Sequence, residues 1–323
     1  MALRLGEFQL IEKYFAPLAA GERGALGLKD DVALLQPPAG QDLVLTTDML
    51  IGGVHFLDDP PDTIARKALR VNLSDLNAKG AIARGYLLAL GLTDAIDETW
   101  IAQFCGGLAS DQKHYDVALF GGDTASGPGP LTISITAFGF VPTGRALLRS
   151  AARPGDAIFV TGEIGNGWLG LQARRGKFVS SAVPGLAGLY LLPDPPVGFG
   201  ARLIGLARAA MDVSDGLLGD LAHICETSRV AAVVDAARVP LLPALEQQIR
   251  ADADLFMGAV TGGDDYQVLF TAPVEREAEL TRLAGAARVK VTRIGRIEAG
   301  AGVRLVAADG RPIPVKSPGF RHF

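Results

Sequence analysis

The chain has 323 residues, of which 49% are hydrophobic and 20% charged, a length and composition that suit two globular domains of ordinary size. Its 31 basic and 35 acidic residues give a formal net charge of -4, which excludes the basic footprint of most nucleic-acid-binding proteins. Two cysteines without a CxxC pair, and no apolar run of about 18 residues, exclude a disulfide framework, a zinc site and a membrane span, so a cytoplasmic protein is expected.

The first half of the chain alternates helical and strand-like segments. The opening MALRLGEFQLIEKYF carries charges where a signal peptide needs an apolar stretch, and it predicts an amphipathic helix. Strands are predicted at 43–45, 117–120 and 131–141. Residues 62–80 have a helical period that puts Asp75 at the margin of the apolar face. This alternation predicts an α/β or α+β layered domain.

A stretch rich in Pro, Gly and Arg, VPTGRALLRSAARPG, separates the two halves. It predicts one domain over residues 1–145 and a second over 146–323. In the second half we expect a strand at 156–161 and a strand-turn-helix at 210–224. Helices are expected near 168–175 and 198–209, and further strands near 230–235, 257–261 and 267–271.

Aspartates recur beside Gly, Ser or Thr in five short segments, KDDVALL, LTTD, VNLSDL, FGGDT and MDVSDG. A Mg²⁺ ion usually takes one or two carboxylates and completes its shell with water and phosphate. Without metal, an acidic cluster of this kind repels a nucleotide phosphate. The segments therefore predict several Mg²⁺ ions that hold phosphates, with these candidate ligands: Asp30, Asp31, Asp48, Asp75, Asp123, Asp212 and Asp215.

Two of these segments in the first half each have an ordinary structural explanation as well. LVLTTD sets Thr46, Thr47 and Asp48 at the expected exit of a strand, where polar side chains also serve as simple caps. In FGGDT, Gly121 and Gly122 allow a ligand to approach the backbone closely, and a bare turn explains them equally well. Only the recurrence of such segments, each with an aspartate beside Gly, Ser or Thr, favours a phosphate and metal site.

The second half repeats the pattern. In MDVSDG, Ser214 and Asp215 stand where a helix should start, so free N–H groups there either help hold a phosphate or are simply capped by Ser and Asp. GGDDYQ, which contains Asp264, is either a further segment of this phosphate-binding kind or a simple turn. GNGWLG matches GxGxxG, but no acidic residue follows about 20 positions on, so a dinucleotide site is rejected. GLQARRGKF lacks the spacing of a Walker P-loop.

Two more residues are candidates for binding. His55 follows Asp48 on a glycine-containing loop, although a lone histidine is more often a surface or packing residue. Arg149, near the expected domain boundary, could bind phosphate oxygens with both arms of its guanidinium, although an exposed arginine usually contacts only water.

Taken in order, these motifs resemble those of the bacterial thiamine-monophosphate kinases. The match includes GEFQLIEKYF, DDVALL, TTDMLIGGVHF, ALRVNLSDLNAKGA, FGGDT, GRALLRSAARPGD, VTG, DVSDGLLGDL, TGGDDYQ and GFRHF, and it spans nearly the whole chain. The resemblance implies ATP-dependent phosphorylation of thiamine monophosphate to thiamine diphosphate. It also implies the two-domain α/β fold of the aminoimidazole ribonucleotide synthetase-like (PurM-like) superfamily, in which N-terminal domains pair into a dimeric β-barrel.

The same resemblance assigns residue roles. The N-terminal domain would bind ATP and Mg²⁺ and form the homodimer, and K⁺ is an additional candidate ion that the sequence does not decide. The metal ligands would be Asp31, Thr46, Thr47, Asp48, Asp75, Asp123, Asp212 and Asp215. ATP would contact Asp31, Thr46, Tyr115, Gly122, Asp123, Arg149 and Ser214. The substrate would contact His55, Asp264 and Phe320, and the catalytic set would be Asp48, Asp75, Asp123 and Arg149.

Four departures from the family pattern bear on substrate binding. Lys29 replaces a glycine of GDD, and Asp264 replaces a glutamate that is one methylene longer. Phe320 stands where Tyr or Trp is common, which keeps ring stacking but removes a hydrogen-bond donor. Trp168, in GEIGNGWLGL, replaces a small residue and is expected to narrow the cleft.

Because the acceptor is a phosphate oxygen that is already ionised near neutral pH, no general base is expected, and transfer should be direct, without a phosphoenzyme. One alternative hypothesis is another ATP-using member of the superfamily with a different small substrate. A hydrogenase-maturation protein of that kind is expected to carry a C-terminal cysteine, which PGFRHF lacks. A second alternative is a non-catalytic ATP-binding sensor.

Overall fold

Residues 5–178, 183–317 and 319 are described by the computed structural model. The chain divides into two units. The first comprises Met1–Leu76 and Ala81–Gly144, and the second comprises Asn77–Gly80 and Arg145–Phe323.

The amphipathic helix predicted at the start is present in the described residues. Helix α1 (Glu7–Leu10) continues as a π-helical turn and then a 3₁₀ turn, and it buries Leu10, Phe15 and Leu18. A further 3₁₀ segment, Arg23–Leu28, leads into an exposed loop.

The described part of the first unit contains a four-stranded sheet in the order β1-β4-β2-β3. Strand β4 is antiparallel to β1 and to β2, whereas β2 and β3 are parallel. Strands β1, β2 and β3 therefore run in one direction, with β1 and β3 at the two edges. The bounds are β1 (Gln41–Ile51), β2 (Ile82–Leu92), β3 (Ala118–Ser126) and β4 (Thr132–Pro142).

Two long helices, α2 (Pro61–Ala78) and α3 (Glu98–Tyr115), accompany this sheet. Helix α2 buries Leu69 and Leu73 on the face that the helical period predicted. The fully buried carboxylate of Asp111 on α3 accepts hydrogen bonds from Arg66 Nε at 2.9 Å and Arg70 Nε at 2.6 Å, so an ion-pair network joins the two helices.

The described part of the second unit contains a mixed seven-stranded sheet in the order β11-β10-β7-β9-β5-β8-β6. Alternate side chains of β5 and β8 enter two separate hydrophobic cores, one with Ile158 and Leu269 and the other with Phe159 and Phe270. Both faces of the sheet are thus covered. The strands are β5 (Asp156–Thr161), β6 (Ala209–Asp212), β7 (Ala231–Asp235), β8 (Val268–Pro273), β9 (Val291–Glu298), β10 (Gly302–Val306) and β11 (Pro312–Ile313).

The helices of this unit pack on both faces of its sheet. Leu217, Leu221 and Ala259 of α7 and α9 belong to the first core, and Leu280 of α10 belongs to the second. The bounds are α4 (Asn166–Arg174), α5 (Gly188–Leu191), α6 (Phe199–Arg202), α7 (Leu217–Ser228), α8 (Glu246–Ala251), α9 (Ala253–Thr261) and α10 (Glu277–Ala287).

Several element predictions were wrong. Residues 257–261 were expected as a strand but belong to helix α9, which is capped by the Asp252 side chain. The helix expected over 198–209 is only the four-residue α6, and Ala209 already belongs to β6. The strands expected at 43–45, 117–120 and 131–141 overlap β1, β3 and β4, two of which are considerably longer.

None of the helices in the described residues is long and apolar enough to cross a membrane.

Candidate functional site

The TTD segment lies in the interior of β1, not at a strand exit as predicted. Successive side chains alternate between faces of a strand. Thr46 Oγ1 donates a hydrogen bond to Asp75 Oδ2 on α2 at 2.5 Å, whereas Thr47 Oγ1 donates to the carbonyl oxygen of Ile135 on β4 at 3.1 Å. Thr46 and Asp48 therefore share the face of β1 that meets α2, and Thr47 lies on the opposite face.

A side chain of helix α2 also accepts a hydrogen bond from the backbone at the edge of β1. The N–H of Asp48 donates to Asn72 Oδ1 at 3.1 Å, and the Asn72 amide in turn donates to the carbonyl of Ala68 at 3.0 Å. Asn72 is fully buried, so its orientation is set by both bonds. Asp75 follows by three residues on the same side of the helix, which brings its carboxylate to Thr46. The Thr46 hydroxyl and the Asp75 carboxylate are thus in contact, and Asp48 lies on the same face of β1.

FGGDT is part of β3, not the turn that the sequence allowed. The pairing of β2 with β3 shifts register by one residue between Tyr86 and Leu87, which marks a β-bulge. At Gly122 a Cβ atom would lie 1.9 Å from the carbonyl oxygen of Leu88, so only glycine fits there. Asp123 is exposed, and its Oδ1 accepts the N–H of Thr124 at 2.9 Å.

Asp30 and Asp31 lie in the exposed loop before β1. The N–H of Asp31 donates to Asp30 Oδ1 at 2.8 Å, so Asp30 orders the backbone of its neighbour. Lys29, one of the departures from the family pattern, is exposed beside them.

Tyr115, expected near the nucleotide, ends helix α3. The guanidinium carbon of Arg70 lies 5.6 Å from the centre of the Tyr115 ring, and His114 packs edge-on against the same ring. The ring therefore covers the buried Arg70–Asp111 pair.

His55 belongs to the loop between β1 and α2. Its Nδ1 accepts the N–H of Ile51 at 3.0 Å, which places the proton of the neutral ring on Nε2. The ammonium group of the buried Lys67, on helix α2, donates to the carbonyl oxygen of His55 at 3.3 Å and so holds the backbone of this loop. The imidazole is thereby held as a hydrogen-bond donor through Nε2.

A pocket of about 330 Å³ opens beside this loop within the first unit. It lies beyond the carboxyl ends of β1 and β2, the position where open α/β sheets commonly bind ligands. Its wall is mainly apolar and contains one indole ring, that of Trp100. The pocket is lined by Gly52, Gly53, Phe56, Leu57, Asp58, Asp59, Ile64, Ile96, Trp100 and Leu131.

In the second unit, Arg149 lies in a short 3₁₀ segment held by the end of α7. Ser228 Oγ donates to the carbonyl oxygen of Arg149 at 2.7 Å and accepts the N–H of Ala152 at 3.1 Å. The Arg149 side chain is exposed.

The loop between β6 and α7 carries Asp212, Ser214 and Asp215. Its N–H groups are not free to hold a phosphate as the sequence suggested, because Asp220 Oδ2 accepts those of Ser214 at 3.0 Å and Asp215 at 3.1 Å. Helix α7 begins only at Leu217. Asp212 is buried at the end of β6, whereas Ser214 and Asp215 are partly exposed.

Asp264 lies on a loop that is bonded to the β6–α7 loop. The N–H of Asp264 donates to the Ser214 carbonyl at 2.8 Å, and that of Tyr266 donates to the Val213 carbonyl at 2.7 Å. Asp264 and Tyr266 both adopt positive φ, at 64° and 53°. The Tyr266 hydroxyl donates to Asp264 Oδ1 at 2.8 Å. Backbone and side-chain bonds together fix the direction of the Asp264 carboxylate.

Asp265 explains why GNGWLG does not bind a dinucleotide. Its buried carboxylate accepts the N–H groups of Gly165 at 2.8 Å and Gly167 at 3.1 Å, the groups that hold phosphate in a dinucleotide fold. Trp168, expected to narrow a cleft, packs against α9: a Cβ at Gly258 or Gly262 would lie 2.2 Å from its ring.

Burial raises the pKa of the two carboxyl groups that hold these loops, Asp220 on helix α7 and Asp265. Burial, aided by the nearby charge of Asp215, raises the pKa of Asp220 to about 7 even though two N–H groups favour the ionised form. Burial likewise raises the pKa of Asp265 to about 7, against the opposing effect of its bonds to Gly165 and Gly167. Both groups are positioned to hold the backbone of the loops that carry the predicted site residues.

The described residues bring part of the predicted set together. Thr46 contacts Asp75 directly, and Ser214, Asp215 and Asp264 lie on two bonded loops. In the ranges 5–178, 183–317 and 319, no three His, Cys, Asp or Glu side chains are grouped closely enough to hold one metal ion. Phe320 lies outside the described residues, although its neighbour Gly319 lies against the Asp215 carbonyl.

Sequence reasoning missed the supporting residues Asn72, Lys67, Asp220, Asp265 and Tyr266. A usable indication existed for Asp220, because it interrupts the apolar stripe of α7 between Leu217 and Leu221. A charged residue at such a position needs a buried polar partner.

The chain matches the family model of AIR synthase related proteins over both domains, the N-terminal domain at residues 29–141 and the C-terminal domain at 153–308. Together with the two units described above, this defines the two-domain α/β fold of that class, as the resemblance implied.

Thiamine-monophosphate kinase from Caulobacter vibrioides is 40% identical over 98% of this chain and 90% of its own length. The crystal structure of thiamine-monophosphate kinase from Stenotrophomonas maltophilia is 41% identical with a TM-score of 0.84, covering 97% of this chain and 99% of that one. The structure of AaThiL complexed with AMPPCP and TMP is 30% identical with a TM-score of 0.78, covering 100% of both chains. The chain belongs to the thiamine-monophosphate kinase family.

Proposed function

We propose that this protein transfers the γ-phosphoryl group of ATP to thiamine monophosphate and produces thiamine diphosphate and ADP. The observation that carries this proposal is the full-length similarity to thiamine-monophosphate kinases, including a relative complexed with AMPPCP and TMP. It is supported by oxygen-rich groups on β1 and α2 and by the two bonded loops of the second unit.

The reaction needs little acid–base chemistry. A phosphate oxygen of thiamine monophosphate attacks the γ-phosphorus, a new P–O–P linkage forms, and the bond to the β-phosphate oxygen breaks to release ADP. The attacking oxygen is already ionised, so no side chain must remove a proton. Catalysis then depends on holding donor and acceptor in line and on compensating negative charge. Transfer is direct, without a phosphoenzyme.

In this proposal the acidic residues would hold Mg²⁺, which would supply positive charge to offset the negative charge of the transferred phosphoryl group. The oxygen donors present suit Mg²⁺, which prefers carboxylate, hydroxyl and water oxygens. The Thr46 hydroxyl and the Asp75 carboxylate already lie together, and Asp48 shares their face of β1. The full proposed ligand set is Asp31, Thr46, Thr47, Asp48, Asp75, Asp123, Asp212 and Asp215, and K⁺ is an additional candidate ion.

The nucleotide and catalytic roles follow the same pattern. Gly122 is included on the resemblance of its motif alone, because the close approach of the Leu88 carbonyl oxygen already accounts for a glycine at this position. Arg149 is exposed and its backbone is anchored by Ser228, which suits a guanidinium that binds phosphate oxygens. The proposed ATP contacts are Asp31, Thr46, Tyr115, Gly122, Asp123, Arg149 and Ser214, and the catalytic set is Asp48, Asp75, Asp123 and Arg149.

His55, Asp264 and Phe320 are the proposed substrate contacts. The pocket beside His55 suits the organic part of thiamine monophosphate, because its volume of about 330 Å³ and its indole wall match a flat, positively charged heteroaromatic molecule. Gly52 lies four residue steps of about 3.3 Å beyond Asp48, so the pocket begins about 13 Å along the chain from this proposed metal ligand.

We further propose a cytoplasmic homodimer in which the N-terminal sheets pair into a barrel. The face of the sheet opposite α2 exposes several apolar side chains on β1 and β2, such as Leu45 at 61% and Met49 at 57%. Isolated exposed apolar residues are common, but a row of them on one sheet face indicates a protein interface. The row comprises Leu43, Leu45, Met49, Ile82 and Leu87.

The deciding experiment is product analysis by phosphorus NMR. Purified protein is incubated with ATP and Mg²⁺ and either thiamine monophosphate or free thiamine as the control acceptor. Thiamine diphosphate and ADP are expected from the monophosphate only. ATP binding without any diphosphate would contradict the proposal and favour a superfamily member with another substrate or a nucleotide sensor. A protein that becomes phosphorylated by ATP alone would contradict direct transfer.

A further inference from the structure

Helix α7 of the second unit holds two groups of proposed nucleotide contacts from its opposite ends. Asp220, in its first turn, accepts the N–H groups of Ser214 at 3.0 Å and Asp215 at 3.1 Å through Oδ2. Ser228, its last residue, donates through Oγ to the carbonyl oxygen of Arg149 at 2.7 Å. From Asp220 to Ser228 the helix rises about 12 Å, at about 1.5 Å per residue. One rigid element therefore joins Arg149 to the Ser214–Asp215 loop.

The short segment that carries Arg149 is bonded on both sides. The carbonyl oxygen of Leu148 accepts the N–H of Ala210 on β6 at 3.2 Å. Beyond Arg149, the N–H of Ala152 donates to Ser228 Oγ at 3.1 Å. The backbone around Arg149 is therefore fixed between β6 and the end of α7, whereas the Arg149 side chain is exposed.

The charge of Arg149 indicates the direction of its side chain. Burial raises the pKa of Asp220, and the positive charge of Arg149 acts against this rise. Such an influence weakens with distance and is screened by solvent. The guanidinium group therefore lies on the side of α7 that carries Asp220 and the Ser214–Asp215 loop, although its backbone is held at the other end of the helix.

Both backbone groups of Ser214 are engaged. Its N–H donates to Asp220, and its carbonyl oxygen accepts the N–H of Asp264 at 2.8 Å. A Cβ atom at Gly263 would lie 2.3 Å from the same carbonyl oxygen, so the two loops are packed closely there. The side chains of Ser214 and Asp215 are partly exposed. The direction in which they meet a nucleotide depends on the backbone that Asp220 holds.

We propose that Ser228 and Asp220 are positioning residues for nucleotide binding. Ser228 acts through Arg149, Asp220 acts through the Ser214–Asp215 loop, and neither touches the nucleotide. Helix α7 sets the spacing between the phosphate-binding guanidinium and the oxygen donors of the loop, so less ordering is needed when the nucleotide binds. These roles rest on the proposed function, in which Arg149 and Ser214 contact ATP and Asp215 binds Mg²⁺.

The test for Ser228 is the Kd of AMPPCP with Mg²⁺, measured by calorimetry without thiamine monophosphate. Ser228→Ala removes the bonds to Arg149 and Ala152 and should raise this Kd about 5-fold, the equivalent of about one hydrogen bond. Ser228→Thr keeps a hydroxyl group and should stay within about twofold of the wild type. The matched control is Thr227→Ala, because Thr227 Oγ1 donates within α7, to the His223 carbonyl oxygen at 2.7 Å.

A double variant shows whether Ser228 acts through Arg149. Adding Ser228→Ala to Arg149→Ala should leave the Kd of AMPPCP unchanged, since no guanidinium group remains to be positioned. An equal loss of affinity in both backgrounds would overturn the proposal for Ser228. An unchanged Kd for Ser228→Ala alone would overturn it as well.

For Asp220 the informative pair is Asp220→Ala and Asp220→Asn. Alanine leaves the N–H groups of Ser214 and Asp215 without this partner, whereas asparagine retains an oxygen that can accept both. Asp220→Ala should raise the Kd of AMPPCP about 10-fold, and Asp220→Asn no more than about threefold. Thermal melting checks folding, and Asp220→Leu, which fills the space of the carboxyl group, replaces the alanine variant if that does not fold. An asparagine variant as impaired as alanine would contradict positioning by hydrogen bonds.

Steady-state kinetics separate these roles from the proposed function. In Ser228→Ala the KM for ATP should rise about 5-fold, while the KM for thiamine monophosphate should change less than about twofold. If the wild type binds AMPPCP but forms no thiamine diphosphate, the proposed function fails, and the binding experiments still decide the roles of Ser228 and Asp220. A wild type that binds no AMPPCP would reject both.

Discussion

The hydroxyl group of Tyr266 donates a hydrogen bond to Asp264 Oδ1 at 2.8 Å. The two residues are only two positions apart, and both adopt the left-handed conformation that lets their side chains turn toward each other. The same loop is bonded through its backbone to Ser214 and Val213. The orientation of the Asp264 carboxylate, a proposed substrate contact, therefore depends on Tyr266, a residue that the sequence motifs did not single out.

Replacing Tyr266 with Phe should raise the KM for thiamine monophosphate about 5- to 10-fold, because one hydrogen bond that orients Asp264 is worth about 1 kcal/mol. The KM for ATP and kcat should change less than twofold. Steady-state kinetics with each substrate varied in turn provide the measurement. Tyr190→Phe, a buried tyrosine on α5, is the matched control.

The double variant Tyr266→Phe/Asp264→Ala separates positioning from general packing. If Tyr266 acts through Asp264, adding Tyr266→Phe to Asp264→Ala leaves the KM unchanged, since there is no carboxylate left to orient. Additive effects on KM would contradict this coupling.

Asp75→Ala should lower kcat on the order of 100-fold or more while the protein stays folded, because the oxygen group formed with Thr46 loses its carboxylate. Rates should be measured over a range of Mg²⁺ concentrations, with thermal melting as the folding check. Asp62→Ala in the first turn of the same helix serves as control. A near-wild-type rate for Asp75→Ala at low Mg²⁺ would mean that Asp75 holds no essential ion.

The raised pKa of Asp265 gives stability a defined pH dependence. Its pKa is about 7 in the folded chain and near 4 in the unfolded chain. Between these values the folded chain binds one more proton, so this group contributes stability that falls as pH rises toward 7 and is constant above it. When the pH is lowered from 8 to 6, the free energy of unfolding of the wild type should rise by about 1.4 kcal/mol relative to that of Asp265→Asn.

Urea unfolding of both proteins at pH 6, 7 and 8 measures this difference. Asp254→Asn at the exposed start of α9 controls for a general effect of removing a negative charge. Parallel pH profiles for wild type and Asp265→Asn would show that Asp265 does not titrate in this range.

The pocket beside His55 can be followed by fluorescence, because Trp100 and Trp168 are the two tryptophans of the chain. In a Trp168→Phe background, thiamine monophosphate should quench the emission of Trp100, which lines the pocket. In a Trp100→Phe background the emission of Trp168, packed on α9, should change little. Equal quenching in both backgrounds would place the ring elsewhere.

The sequence predicted helix α2 and the two-domain α/β class well, because the helical period of α2 and the order of the motifs are local properties of the chain. It placed Thr46, Thr47 and Asp48 at a strand exit, since nothing local shows that β1 continues for three more residues to Ile51. The strand expected at 257–261 was wrong for a similar reason: a short apolar run does not distinguish a buried helix from a strand.

The candidate site was predicted as a list of oxygen donors and not as a geometry. Which face each donor occupies depends on strand pairing, such as that of Asp48 with Ile135, and pairing partners are distant in sequence. The sequence did not predict that Asp220 and Asp265 hold these loops, because a buried structural aspartate and an exposed metal-binding aspartate are the same residue type. Only burial and the N–H groups around them distinguish the two roles.

Asn72 has one more effect on how this chain can associate. By accepting the N–H of Asp48, its side chain uses the hydrogen-bonding capacity of the β1 edge at that height. An approaching strand can therefore bond to β1 on either side of this point but not through it. Any seam formed along β1 therefore lacks the ladder bond of the Asp48 N–H group. The buried amide thus makes the β1 edge a poorer template for an added strand at this point.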